Sequence, residues 1–118
     1  WIVHGRTEIV RMPDAGSHRP RFREDTPPQH RPLLGSMVIR RECFDRVGPF
    51  DATLQRSEDL DWLARAEELG IRPTRIDDVW LRYRVHAANV TNDVSATASS
   101  MVAHVKRALD RRRSERKR

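Results

Sequence analysis

The chain is 118 residues long, the size of one domain, with 23 Lys and Arg against 17 Asp and Glu and a formal charge of +6. The surplus is confined to one end: residues 106–118 hold 8 basic and 2 acidic side chains, whereas residues 1–105 hold 15 of each. A uniformly basic, nucleic-acid-coating protein is thereby excluded, and a basic tail on a neutral body is not.

Leu, Ile, Val and Phe amount to 26 residues, enough for a core but a thin one. The single cysteine, Cys43, can form no internal disulfide and no thiolate zinc site by itself. No apolar run approaches the roughly 20 residues that span a bilayer, so the expectation is a cytoplasmic chain, with a membrane-peripheral position open to its basic end. Opening at Trp1 within an apolar stretch, without an initiating Met, the sequence reads as a fragment.

In chain order, residues 1–4 and 7–12 read as two short strands hinged at Gly5. Residues 13–32 hold five of the seven prolines and little that is apolar, which predicts an irregular, mobile loop. Strand character returns around residues 37–39 and leads into a short helix, residues 41–47, whose Phe44 and Val47 share a face. Gly48 and Pro49 end it.

A second helix is bounded by Ser57 as N-cap and Gly70 as stop, with Glu58 and Asp59 in the first turn, where the helix dipole favours negative charge. At about 100° per residue, Trp62, Leu63, Ala66 and Leu69 gather on one side and Asp61, Arg65 and Glu68 on the other. Asp61 and Arg65 can then pair on a solvent face, while Asp59 projects near the middle of the apolar arc. Beyond Pro73 come strand candidates at 74–76 and 79–86. In the second, Val79, Leu81, Tyr83 and Val85 alternate with Trp80, Arg82, Arg84 and His86. A final helix over about 96–112, with Val94, Ala98, Met101, Val105 and Ala108 at spacings of four and three, presents a narrow apolar stripe suited to docking.

Three separated segments fall into one pattern. Residues 34–51 read Leu-Gly-Ser-Met-Val-Ile-Arg-Arg-Glu-Cys-Phe-Asp-Arg-Val-Gly-Pro-Phe-Asp, residues 57–65 read Ser-Glu-Asp-Leu-Asp-Trp-Leu-Ala-Arg with Gly70 beyond, and residues 83–91 read Tyr-Arg-Val-His-Ala-Ala-Asn-Val-Thr. In this order they resemble the C-terminal half of family 2 glycosyltransferases, over about residues 33–91. The resemblance implies an α/β architecture: the C-terminal portion of a GT-A, Rossmann-like fold, with a short mixed sheet and three helices. Residues 1–94 would be its acceptor-side, catalytic-base half, and residues 95–118 a C-terminal helix with a basic tail.

The implied activity is inverting, metal-dependent transfer of a sugar from a nucleotide-sugar donor to an acceptor hydroxyl. The family's Glu-Asp pair falls on Glu58 and Asp59. Asp59 is implied as the general base, because an acceptor hydroxyl attacks only as its proton is removed by a group within hydrogen-bond reach. Glu58 is placed beside it on the substrate, although an acid in a first turn also serves the dipole. The family's Arg-x-His falls on Arg84 and His86. The guanidinium can neutralise diphosphate charge on the departing nucleotide, and the imidazole can meet phosphate or join a metal shell.

The resemblance implies that Gly35 and Ser36 begin the segment that lines the acceptor side; Trp80 is open to stacking on a sugar, whereas Trp62 and Cys43 read as core. Asp59-Leu-Asp61 is no metal-binding Asp-x-Asp, since its carboxylates point about 200° apart on a helix. The Mg or Mn expected in a full-length enzyme would find its main ligands upstream of this chain, in the nucleotide-binding half, without which the chain is expected to be inactive. Asn89-Val-Thr91 matches a glycosylation acceptor by chance. The alternative is a non-catalytic module: an assembly surface through self-association, or a basic helix held on an anionic membrane by residues 106–118. Specific nucleic-acid binding finds no motif.

Overall fold

The computed structural model describes residues 1–16, 26–89 and 93–118. They form a mixed α/β structure in two compact units, Trp1–Arg40 with Arg72–Asp93, and Arg41–Ile71 with Val94–Arg118. The first holds the sheet and the second the helices, so the sequence division at 94/95 cuts across them.

The sheet has three strands in the order β2-β1-β3, with β1 Ile2–Arg11, β2 Met37–Ile39 and β3 Pro73–Val85. β1 is antiparallel to β2 and parallel to β3. The expected hinge at Gly5 is a different feature, because β1 runs through it unbroken. β3 advances from Arg75 to Val79 while β1 advances only from His4 to Arg6, and a second irregularity follows at once. These bulges shift the phase of the alternation, so that Ile2 and His4 are buried before Gly5 and Thr7 and Ile9 after it.

Glycine is required at this point by a close approach, since a Cβ on Gly5 would lie 2.3 Å from Trp80 Cγ. The two expected strands at 74–76 and 79–86 are likewise one bulged strand, β3. Ile9, Ala15 and Val85 form its small core, with Tyr83 packed against them.

The described ends of the proline-rich segment, residues 13–16 and 26–32, make more regular contacts than its composition suggests. Pro13–Ala15 makes a turn of 3-10 helix with Ala15 buried. Gln29 exchanges backbone hydrogen bonds with Thr7 at 2.7 and 3.1 Å, and His30 Nε2 lies 2.9 Å from the Ile76 carbonyl. A β-bridge needs only backbone groups, which composition does not register. The stretch 17–25, also expected to be mobile, lies outside the described residues.

In the helical unit, α1 is Arg41–Val47, α2 is Glu58–Glu68 and α3 is Val94–Arg116. α1 matches its expected bounds, and Gly70 takes the positive φ, 74°, that ends α2. Trp62 is fully buried beside Phe44 and Phe50, at ring distances of 4.6 and 6.0 Å, and its Nε1 donates to the Gly48 carbonyl at 2.8 Å. Trp62 and Cys43 are thus core, as expected.

Ser57 is not a side-chain N-cap: it adopts the left-handed region at φ 61°, and its hydroxyl makes no cap bond. The Ser100 hydroxyl on α3 instead donates to the Arg56 carbonyl at 2.9 Å and, its single proton so used, can accept from the Ser57 hydroxyl 3.1 Å away.

Candidate functional site

Asp59 and Asp61 change places relative to the helical-wheel reading. Asp61 is the inward acid, only 2% exposed, while Asp59 is half-buried. Arg65 Nε donates to Asp61 Oδ2 at 3.0 Å and Arg111 Nη1 to Asp61 Oδ1 at 2.9 Å. Arg111 Nε reaches Glu68 at 3.1 Å, so one guanidinium spans two carboxylates. Burial works against the charged Arg111, but the hydrogen bonds to Glu68 and Asp61 outweigh it and hold the group above its ordinary pKa. The supposed solvent face of α2 is therefore where α3 lies. A wheel projected from one helix cannot distinguish charges facing water from charges facing arginines.

Arg65 also ties α2 to the loop after α1, donating to the Val47 and Pro49 carbonyls at 2.8 Å each. With both Asp61 oxygens engaged, Asp61 serves the scaffold. The Asp59 carboxylate accepts a hydrogen bond from the Leu60 N–H at 2.8 Å, and among the described residues no cation pairs with it. Its neighbour Glu58 stands half-buried in the same first turn.

The other expected site residues belong to the sheet unit. Gly35 and Ser36 lie in a 3-10 turn, Leu34–Ser36, that precedes β2. Ser36 is fully buried and its hydroxyl donates to the Leu33 carbonyl at 2.8 Å, which closes the turn. Gly35 is held against the methyls of Leu81, which a Cβ would meet at 3.3 Å. Trp80 covers Gly5 and remains 39% exposed.

Arg84 is exposed near the end of β3, whereas His86 lies past that end, so the pair is not the strand dyad its spacing suggested. Asn89 explains why: its Oδ1 accepts from the His86 N–H at 2.6 Å and its Nδ2 donates to the Arg84 carbonyl at 3.2 Å, turning the chain. The His86 ring accepts the Ala88 N–H at Nδ1, 3.2 Å away, which selects the tautomer protonated at Nε2. Asn89 thus has a structural use, while the rest of its glycosylation triplet lies outside the described residues.

Comparisons with known proteins add no relative. No protein family, curated protein or solved structure matches the chain.

Among the described residues, no group of three or more His, Cys, Asp or Glu side chains could hold a metal ion. His86 accordingly belongs to no such group among the described residues.

Two features escaped the sequence reading. One is the Asp61–Arg65–Arg111–Glu68 network, whose only sequence signal is the i, i+4 pair of Asp61 and Arg65. The other is the buried His4, which meets His30 edge to face at 5.5 Å. Its place in an alternating strand looks like that of any core residue.

Proposed function

We propose that this chain is the acceptor-side, catalytic-base part of an inverting glycosyltransferase, with Asp59 removing the proton of the acceptor hydroxyl. The ordered pattern over residues 33–91 carries the proposal. The environment of Asp59 supports it: a base must be reachable and must not be neutralised by a bound cation, and Asp59 rather than Asp61 meets both conditions. Glu58 stands beside it to contact substrate, and the exposed Arg84 and the outward part of Trp80 are the groups for diphosphate and sugar on the sheet unit. Donor binding and any Mg or Mn belong to a nucleotide-binding half supplied from outside this chain.

The reaction is tested in a polypeptide that joins this chain to such a half, beginning from the coding sequence upstream of Trp1. A strand ending in Asp-x-Asp there, with release of nucleoside diphosphate from a nucleotide-sugar, is the expected result. Asp59→Asn should lower kcat by about 10²–10⁴-fold without moving Tm. Undiminished transfer by Asp59→Asn would refute the assignment of the base. Transfer by the 118-residue chain alone would refute the division of labour.

A further inference from the structure

The basic end of the chain is divided between two faces of α3. On one, Ser100, Arg107 and Arg111 bind Arg56, Asp51, Asp61 and Glu68, all within the helical unit. The other is open: Val102 is 69% exposed, Val105 55% and Leu109 48%. At about 100° per residue these three form one ridge, and Lys106, Arg112, Arg113 and Arg116 fall within about 70° of its centre, whereas Arg107 and Arg111 lie opposite. The four flanking cations are exposed and make no ion pair among the described residues. Asp110 lies outside the arc, beside the hollow lined by Arg107, Arg111 and Ser114.

We propose that this face of α3 docks on an anionic lipid surface, the ridge entering the headgroup boundary and the flanking cations meeting lipid phosphates. Charge complementarity selects this occupant. A parallel pairing of two copies along the ridge would continue through Arg112 and Arg116, setting guanidinium against guanidinium. An antiparallel pairing would rest on three apolar side chains per copy, far short of the ~800 Å² per partner of a stable interface. A nucleic-acid backbone would satisfy the cations and leave the ridge without a use.

Two valines and a leucine without an aromatic anchor give a weak apolar contribution, so adhesion needs the ridge and the cations together. No helix among the described residues is long and apolar enough to cross a membrane, so α3 lies on the surface. The inference stands whether or not the chain takes part in sugar transfer.

The test is co-sedimentation of the intact chain with vesicles of phosphatidylcholine alone or with one-third phosphatidylglycerol. Retention on the anionic vesicles only is expected, at least about tenfold weaker when salt rises from about 0.1 to about 0.5 M. Val105→Asp, and separately the Arg112→Glu/Arg113→Glu pair, should each weaken it at least about tenfold while circular dichroism stays unchanged. An environment-sensitive dye on Val105→Cys, with Cys43→Ser, should shift to the blue only with anionic vesicles. Equal retention on neutral vesicles, no retention, or retention indifferent to Val105→Asp would overturn the proposal. So would a dimer in light scattering that Val105→Asp dissociates, or a duplex oligonucleotide bound while anionic vesicles are not.

Discussion

Arg111 Nη1 lies 2.9 Å from Asp61 Oδ1, joining the last helix to the second at a contact in which the carboxylate is buried and the guanidinium partly so. Removing one partner of a buried charged hydrogen bond leaves the other uncompensated, which costs more than the bond itself contributes. Arg111→Met is therefore expected to destabilise the helical unit by about 1–3 kcal/mol, Arg65 still covering Asp61. Denaturant titration checks it. The double variant with Asp61→Asn should lose clearly less than the sum of the singles, because the two residues act on one contact.

A methyl group at residue 5 has no room. With Trp80 Cγ 2.3 Å and Trp80 Cβ 2.6 Å from the position of a Cβ, Gly5→Ala must displace the indole or the strand. The expected cost is about 1–3 kcal/mol, measured by thermal melting. Trp80→Ala should recover much of that loss in the Gly5→Ala background. Equal losses in both backgrounds would refute the contact as its cause.

His4 gives the sheet unit a pH dependence of definite sign. Desolvation by burial holds its pKa below the ordinary value; a hydrogen bond to the Arg31 backbone opposes this, and the nearby His30 and Arg75 lower it further. The unfolded chain, with a pKa of about 6.5, then binds more protons than the folded one as pH falls below that value. Stability from this group is full above about pH 6.5 and declines toward the folded pKa. Wild-type Tm should fall between about pH 7.5 and pH 5.5, and His4→Gln, which cannot titrate, should show a flatter profile over the same interval.

Asp51 acts at the other end of the scale. The hydroxyl and N–H of Thr53 donate to its carboxylate at 2.6 and 2.9 Å and lower its pKa; burial opposes this, and Arg107 lowers it again. Its contribution is present above the unfolded value near 3.9 and is lost as pH falls through the lower folded value. Asp51→Asn should therefore remove part of the acid lability below about pH 4, read as a shallower loss of helix signal on acidification.

Much of the local structure follows from neighbouring residues. The Phe44 and Val47 face with the Gly48-Pro49 stop delimits α1, Gly70 ends α2, and the indole of Trp62 among apolar neighbours goes to the core. These outcomes depend on contacts within a few residues, where helical period and backbone preference suffice. The ordered motifs over 33–91 mark Asp59, Glu58, Arg84 and His86 as candidates from the sequence alone.

Other features depend on groups distant in sequence. Whether Asp61 or Asp59 is the buried acid is decided by Arg111, fifty residues away, since charges on a helix face are compatible with water or with a guanidinium from another helix. Gly5 lies opposite the bulges of β3, close beneath Trp80, rather than at a hinge, and Gln29 of the proline-rich segment is fixed because it finds the backbone of Thr7. The +6 surplus is a property of composition alone. Its division between cations that hold α3 in place and cations around an open apolar ridge exists only once the helix has a neighbour, because packing determines which side of a helix meets solvent.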